Sequence, residues 1–263
     1  MTRRTRSGRA FGLVALALFV VAAACERAPE ASVRVVLLGD SITAGRVSEP
    51  LGPPYTELLG RALGPEFELV TLGCGGSTAR DWTRSRGSDL CGGDFAVPNL
   101  YEKLARPALP ADVVTVLLGT NDALERVAVA DYEAALREVT AALLADGAGS
   151  VLLMTPPVVS SGRVPRIRLL ADYDLAVQRI CDEVEGARCG PTIGRLLGTA
   201  DFAHDNIHPN GAGHAKIATA LAAALRALQA PDDASSDSAA ASSAAGSSQS
   251  ASAPASSSSR RLP

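Results

Sequence analysis

The chain has 263 residues, 47% of them hydrophobic and 20% charged, with a formal net charge of −3. That length and apolar content suit one core of catalytic size. A slightly acidic balance without a basic motif argues against nucleic acid as a partner.

The charge is unevenly placed. Arg3, Arg4, Arg6 and Arg9 precede the apolar stretch "AFGLVALALFVVAAA", residues 10–24, and no acid occurs before residue 25, so loss of this segment takes the net charge from −3 to −7. A basic start, an apolar run too short to span a bilayer comfortably, and Ala22–Ala24 ahead of a cysteine predict an export signal over 1–24; an uncleaved anchor helix is the competing reading. "VAAAC" resembles the lipobox of bacterial lipoproteins, which implies a lipid-bearing Cys25, a linker over 25–31 and a membrane-tethered protein of the bacterial cell envelope. It departs from that pattern at Ala22, where leucine is common. Ala22 and Ala24 also form an A-x-A site, which leaves a secreted or periplasmic soluble protein open.

From residue 33 the chain alternates short apolar runs with amphipathic ones. "VRVVLLG" (33–39), "FELVTLG" (67–73), "DVVTVLLG" (112–119) and "SVLLMTPPV" (150–158) read as strands, three of them apolar enough to be covered on both faces. "PPYTELLGRALG", "ADYEAALREVTAALLADG", "RIRLLADYDLAVQRICDEVEG" and "GAGHAKIATALAAALRALQA" carry helical spacing. This alternation predicts an α/β fold with a parallel sheet between helical layers over residues 32–230, and right-handed crossovers put the ligand site on the edge formed by the strands' carboxyl ends. The serine- and alanine-rich stretch 231–263 lacks the apolar surface to offset its ordering entropy and reads as a disordered tail.

In an oxidising compartment Cys74, Cys91, Cys181 and Cys189 are expected to pair locally, 74 with 91 and 181 with 189, the connectivity with the shortest loops. A zinc site and free buried thiols are the alternatives, but neither spacing is of the C-x-x-C type. A Cys74–Cys91 bond would fasten the intervening loop. Trp82, Arg84 and Arg86 lie in that loop, where they suit either an anionic or aromatic ligand or a plain solvated segment.

Ser41 falls just beyond the first strand. Taken alone it reads equally well as a helix cap. A hydroxyl becomes a useful nucleophile when a histidine takes its proton and a carboxylate orients that histidine. The three histidines, His204, His208 and His214, all lie in "DFAHDNIHPNGAGHAKIA". Asp205 and His208 are close enough for a carboxylate to reach Nδ1 within one turn, while His214 falls inside the last helix as a surface or packing residue. A metal on His204 and His208 would lack a third ligand apart from Asp205, so none is expected. Donors for an oxyanion are available after the second strand in "GCGGST", with Gly75 and Gly76, and after the third in "GTND", with Asn121. Ordinary glycine and Asx turns compete for both.

Together "GDSIT", "GCGGST", "GTND" and "DNIHPNGAGHAKIA" resemble, in order and spacing, the blocks of the SGNH hydrolases, or GDSL-type esterases and lipases, over residues 33 to about 226. The resemblance implies a three-layer α/β/α sandwich with a mostly parallel, flavodoxin-like sheet. It further implies Ser41 as nucleophile, His208 as base, Asp205 as its orienter, and an oxyanion hole built from the N–H of Ser41, the N–H of Gly76 and Asn121 Nδ2. Gly73 is the alternative to Gly76. Asp40 and Asp122 become loop braces rather than acids or bases. The expected protein is a serine ester hydrolase working through an acyl-enzyme on Ser41, without metal or organic cofactor, monomeric, acting on a small-molecule or glycan-borne ester. An O-acyltransferase with the same residues and a catalytically silent binding module are the alternatives. The absence of a long apolar lid leans toward short acyl chains.

Overall fold

Residues 33–45, 52–84, 99–157 and 164–229 are described by the structure, a computed structural model of the chain. The predicted export segment, Cys25, Arg86, Cys91 and the serine-rich tail lie outside the described residues.

Five strands form one parallel sheet: β1 (Val33–Gly39), β2 (Phe67–Gly73), β3 (Ala111–Leu117), β4 (Ala148–Thr155) and β5 (Ala187–Thr192), in the order β2-β1-β3-β4-β5. Among the described residues six α-helices accompany them: α1 (Tyr55–Leu63), α2 (Thr120–Glu125), α3 (Val129–Ala145), α4 (Val164–Glu183), α5 (Ile193–Leu196) and α6 (Gly211–Gln229). Because side chains alternate along a strand, β1 sends Val36 and Leu38 to one face and Val33, Val35 and Leu37 to the other. The first face is covered by α3 and α4, where Tyr132 stacks on Tyr173 at 4.1 Å between ring centroids. The second is covered by α1 and α6 through Tyr55, Leu59, Ile217 and Leu221. The result is the expected α/β/α sandwich.

The chain leaves β1 toward β2 on one side and returns to β3 on the other, so β1 and β3 flank the topological switch point where such sheets bind ligands. Ser41, Gly76 and Asn121 follow the carboxyl ends of β1, β2 and β3, while Asp205 and His208 come from the loop before α6.

Two elements differ from the sequence expectation. The fifth strand, "ARCGPT", is an edge strand in which only Ala187 is fully buried, and its glycine and proline oppose strand formation by propensity. The "GTND" segment is a helix start rather than a turn: Gly119 (φ +122°) ends the run of β3, and Ala123 N–H donates to its carbonyl at 3.0 Å to open α2. The fourth strand stops at Thr155 because Pro156 and Pro157 have no N–H to offer a ladder. Cys181, at the end of α4, is bonded to Cys189 of β5 with Cα atoms 5.5 Å apart. Cys74 is also engaged in a disulfide, while Cys91, its expected partner, is outside the described residues. Among the described residues no helix is long and apolar enough to cross a membrane.

Candidate active site

After Gly39 the chain turns at once. Asp40 Oδ1 accepts the N–H of Ile42 at 2.9 Å, and the N–H of Ala44 donates to the Asp40 carbonyl at 3.0 Å, so Ser41 sits at the head of a tight turn. No helix begins there; among the described residues the first starts at Tyr55, which removes the helix-cap reading of Ser41. The turn folds back over the ends of β1 and β2, where the register sets Gly39 beside Gly73.

The second block reaches the same edge from the loop before α6. Asp205 Oδ1 accepts the N–H groups of Ile207 (2.9 Å) and His208 (3.0 Å), the Asn206 N–H donates to the Ala203 carbonyl (2.9 Å), and the Ala203 N–H donates to the His208 carbonyl (2.8 Å). Asn210 then opens α6: its Oδ1 accepts the N–H of Ala212 and Gly213, in the manner of an N-cap. This closed loop presents the imidazole. His208 Nδ1 lies 2.6 Å from Asp205 Oδ2, and Nε2 lies 2.8 Å from Ser41 Oγ. With the carboxylate on one side, Nδ1 carries the proton and Nε2 accepts from the serine hydroxyl.

Gly76 (φ +83°) adopts a backbone conformation that a side chain would strain, in the turn after β2. Asn121, in the first turn of α2, donates from Nδ2 to the Ser77 carbonyl at 2.8 Å and approaches Asp40 Oδ2 at 3.5 Å. Ser41, Gly75, Gly76, Asn121, Leu124, Ile207 and His208 line one cleft of about 300 Å³. Thus Ser41, Gly76, Asn121 and His208 open on a common space, with Asp205 behind His208. Gly73 is packed beneath the Ser41 turn instead, away from the cleft lining.

Sequence reading missed the buried charges behind this cleft. Asp40 is fully buried and its carboxyl is raised to about 7, mainly by burial, against the opposing bond from Ile42, with the neighbouring charge of Asp122 adding to the rise. Asp122, which accepts the Ala79 N–H on both oxygens (3.1 and 3.2 Å), is likewise raised to about 7 by burial. Both therefore serve as the loop braces expected. Each retains its proton in the fold where the unfolded chain has released it, so each favours the folded state at acid pH and loses that contribution as pH rises through about 7. The stability of Asp122→Asn relative to wild type, from urea unfolding, is expected to improve by about 1 kcal/mol between pH 6 and pH 8. A difference that stays flat across that interval would assign the dependence elsewhere. His214 acts in the opposite sense: buried, with Nδ1 accepting the Tyr55 N–H at 3.2 Å, it is lowered to about 4 by burial and by the nearby His208, so stability is lost as pH falls from 6.5 toward 4.

Trp82 is not in a solvated loop. It is fully buried in a short helical turn, Ala79–Trp82, and its Nε1–H donates to Ser77 Oγ at 2.9 Å. Arg84 pairs with Asp146 and lies over the Tyr101 ring, 5.1 Å from its centroid, and does not line the cleft. His204 is exposed, and among the described residues no cluster of metal-ligating side chains occurs.

The fold is that of the SGNH hydrolases, and the protein is an ester hydrolase. The chain belongs to the GDSL-like Lipase/Acylhydrolase family, whose profile matches residues 37–216. Its structure is similar to that of an acetyl-xylooligosaccharide esterase from Geobacillus stearothermophilus (TM-score 0.56, 24% identity, 72% of this chain and 92% of that one). It is similar also to a protein described as an arylesterase from Agrobacterium tumefaciens (TM-score 0.58, 19% identity, 74% and 99%). A third likeness is to a member of the lipolytic G-D-S-L family from Veillonella parvula (TM-score 0.56, 16% identity, 75% and 97%). No curated protein matches the sequence.

Proposed function

We propose that the protein hydrolyses short-chain carboxylic esters through an acyl-enzyme on Ser41. Ser41 Oγ attacks the ester carbonyl carbon while its proton passes to His208 Nε2. The imidazolium so formed is stabilised by Asp205, and the negative charge on the carbonyl oxygen is met by Ser41 N–H, Gly76 N–H and Asn121 Nδ2. Collapse breaks the bond to the alcohol, which leaves with the proton from His208. Water then attacks the acyl-enzyme, giving its proton to His208, and the second collapse returns that proton to Ser41 Oγ as the acid departs.

The observation that carries this reading is the unbroken series Asp205–His208–Ser41, with contacts of 2.6 and 2.8 Å, opening on a cleft shared with Gly76 and Asn121. The apolar walls of that cleft are Leu124 and Ile207, and among the described residues no acidic, lysine or arginine side chain lines it, which favours short neutral acyl groups. A fluorophosphonate probe is expected to label the folded protein at Ser41, as read by peptide mass spectrometry, and p-nitrophenyl acetate to be cleaved faster than the dodecanoate. A folded protein left unlabelled would sink the proposal.

Export and a lipid tether at Cys25 complete the reading, supported by the basic and apolar leader of the sequence. The bacterially expressed full chain is expected to partition into detergent phase, and Cys25→Ser to move it to the aqueous phase. Equal partitioning of both would favour simple secretion.

A further inference from the structure

The turn that carries Gly76 is held by an unusual choice of side chain. Trp82 is the one tryptophan of the chain, is fully buried, and spends its indole N–H on Ser77 Oγ at 2.9 Å. Ser77, also fully buried, passes its own hydroxyl proton to the Cys74 carbonyl at 2.9 Å, and its backbone N–H goes to the same carbonyl at 3.2 Å. The Ser77 carbonyl, fixed in direction by these bonds, is the acceptor for Asn121 Nδ2 at 2.8 Å. A second tie runs the other way: the Ala79 N–H, in the turn that carries Trp82, donates to the side chain of Asp122, the residue after Asn121. Residues 77–82 and the start of α2 are thus clasped at adjacent positions.

A buried indole N–H needs a partner wherever it packs, whereas phenylalanine would fill the same apolar space without that demand. The bond has a different consequence. One hydrogen of the Asn121 amide is consumed by the Ser77 carbonyl at 2.8 Å, which fixes the amide plane and sets the direction of the other hydrogen, whose long 3.5 Å contact with Asp40 Oδ2 is the one an oxyanion would replace. The Ser77 carbonyl in turn is anchored through its own hydroxyl to Trp82. We propose that Trp82 is a positioning residue for the oxyanion hole, acting on Asn121 through Ser77. The inference rests on the reading of Asn121 as an oxyanion donor.

A double-mutant cycle with p-nitrophenyl acetate on the full chain tests it. Asn121→Ala is expected to lower kcat by about 10²–10³-fold, the usual effect of losing one oxyanion donor. Trp82→Phe, which keeps the ring and drops the N–H, is expected to lower kcat by about tenfold with KM within about twofold, because the donor is present but misdirected. In the Asn121→Ala background the same replacement is expected to cost less than about twofold, since the group it steers is gone. Ser77→Ala keeps the indole in place and is expected to reproduce the pattern, so it carries the cycle if Trp82→Phe does not fold. A Trp82→Phe enzyme with wild-type kcat, or one impaired equally in both backgrounds, overturns the positioning role while leaving Asn121 as donor. An Asn121→Ala enzyme with wild-type kcat overturns the donor reading and this inference together.

Discussion

His208→Ala is expected to lower kcat/KM for a short-chain ester by about 10⁵–10⁶-fold, measured with p-nitrophenyl acetate against the uncatalysed rate. The imidazole holds two contacts that nothing else in the cleft supplies, Ser41 Oγ at 2.8 Å and Asp205 Oδ2 at 2.6 Å. Its removal leaves the serine hydroxyl without a base and Asp205 Oδ2 without the ring it orients. Ser41→Ala is expected to cost as much, and the double variant no more than either single one, because the residues act as one unit. Asp205→Asn should cost less, about 10⁴-fold. An asparagine oxygen can still accept the N–H groups of Ile207 and His208, so the loop stays folded while the imidazolium loses its counter-charge. Additive losses in the Ser41/His208 pair would mean that the two do not work in one step.

The second large effect concerns folding. A Cβ at Gly73 would stand 2.2 Å from Ala44 N and 2.4 Å from Ala44 Cα, and one at Gly39 would stand 2.1 Å from Thr43 Oγ1 and 2.8 Å from the Leu117 carbonyl. The Ser41 turn lies directly on these two strand ends. Gly73→Ala must therefore lift backbone away from backbone, and is expected to cost about 3 kcal/mol or more, a fall in melting temperature of about 6–12 °C for a domain near 200 residues. Gly76→Ala provides the contrast: among the described residues nothing lies within 4 Å of the added Cβ, so the positive φ is what is penalised, about 1–2 kcal/mol. Calorimetry on the two variants separates the mechanisms. If Gly76→Ala melted lower than Gly73→Ala, close approach would not be what fixes the Ser41 turn.

What could be read from sequence followed from how local each signal was. Strands β1, β3 and β4 are covered on both faces and announce themselves as apolar runs, whereas β5 is exposed at the edge and carries a glycine and a proline. Asp205 and His208 were legible because three residues of spacing already brings the two side chains together. Ser41 was legible only in company, through blocks that fell in a familiar order. The clasp through Trp82, Ser77 and Asn121 was not, since "ARDWTRSR" is flanked by charge and looks solvated, and its burial depends on a sheet end and a helix start that meet only in three dimensions. For the same reason Asp40 and Asp122 read as braces, but their shared burial and the rise in pKa it causes did not show.

One contact ties activity to the completion of the fold. The hydrogen bond from Ser41 to His208 joins residues 167 positions apart, and the loop that presents His208 is anchored by Asn210 to the start of α6. A chain emerging from the ribosome displays Ser41 early, whereas His208, the base of the proposed mechanism, follows only near the end of the described residues. Such a non-local closure is paid for late in folding. On the proposed mechanism, turnover waits for this closure, and the reaction becomes a gauge of whether α6 has docked.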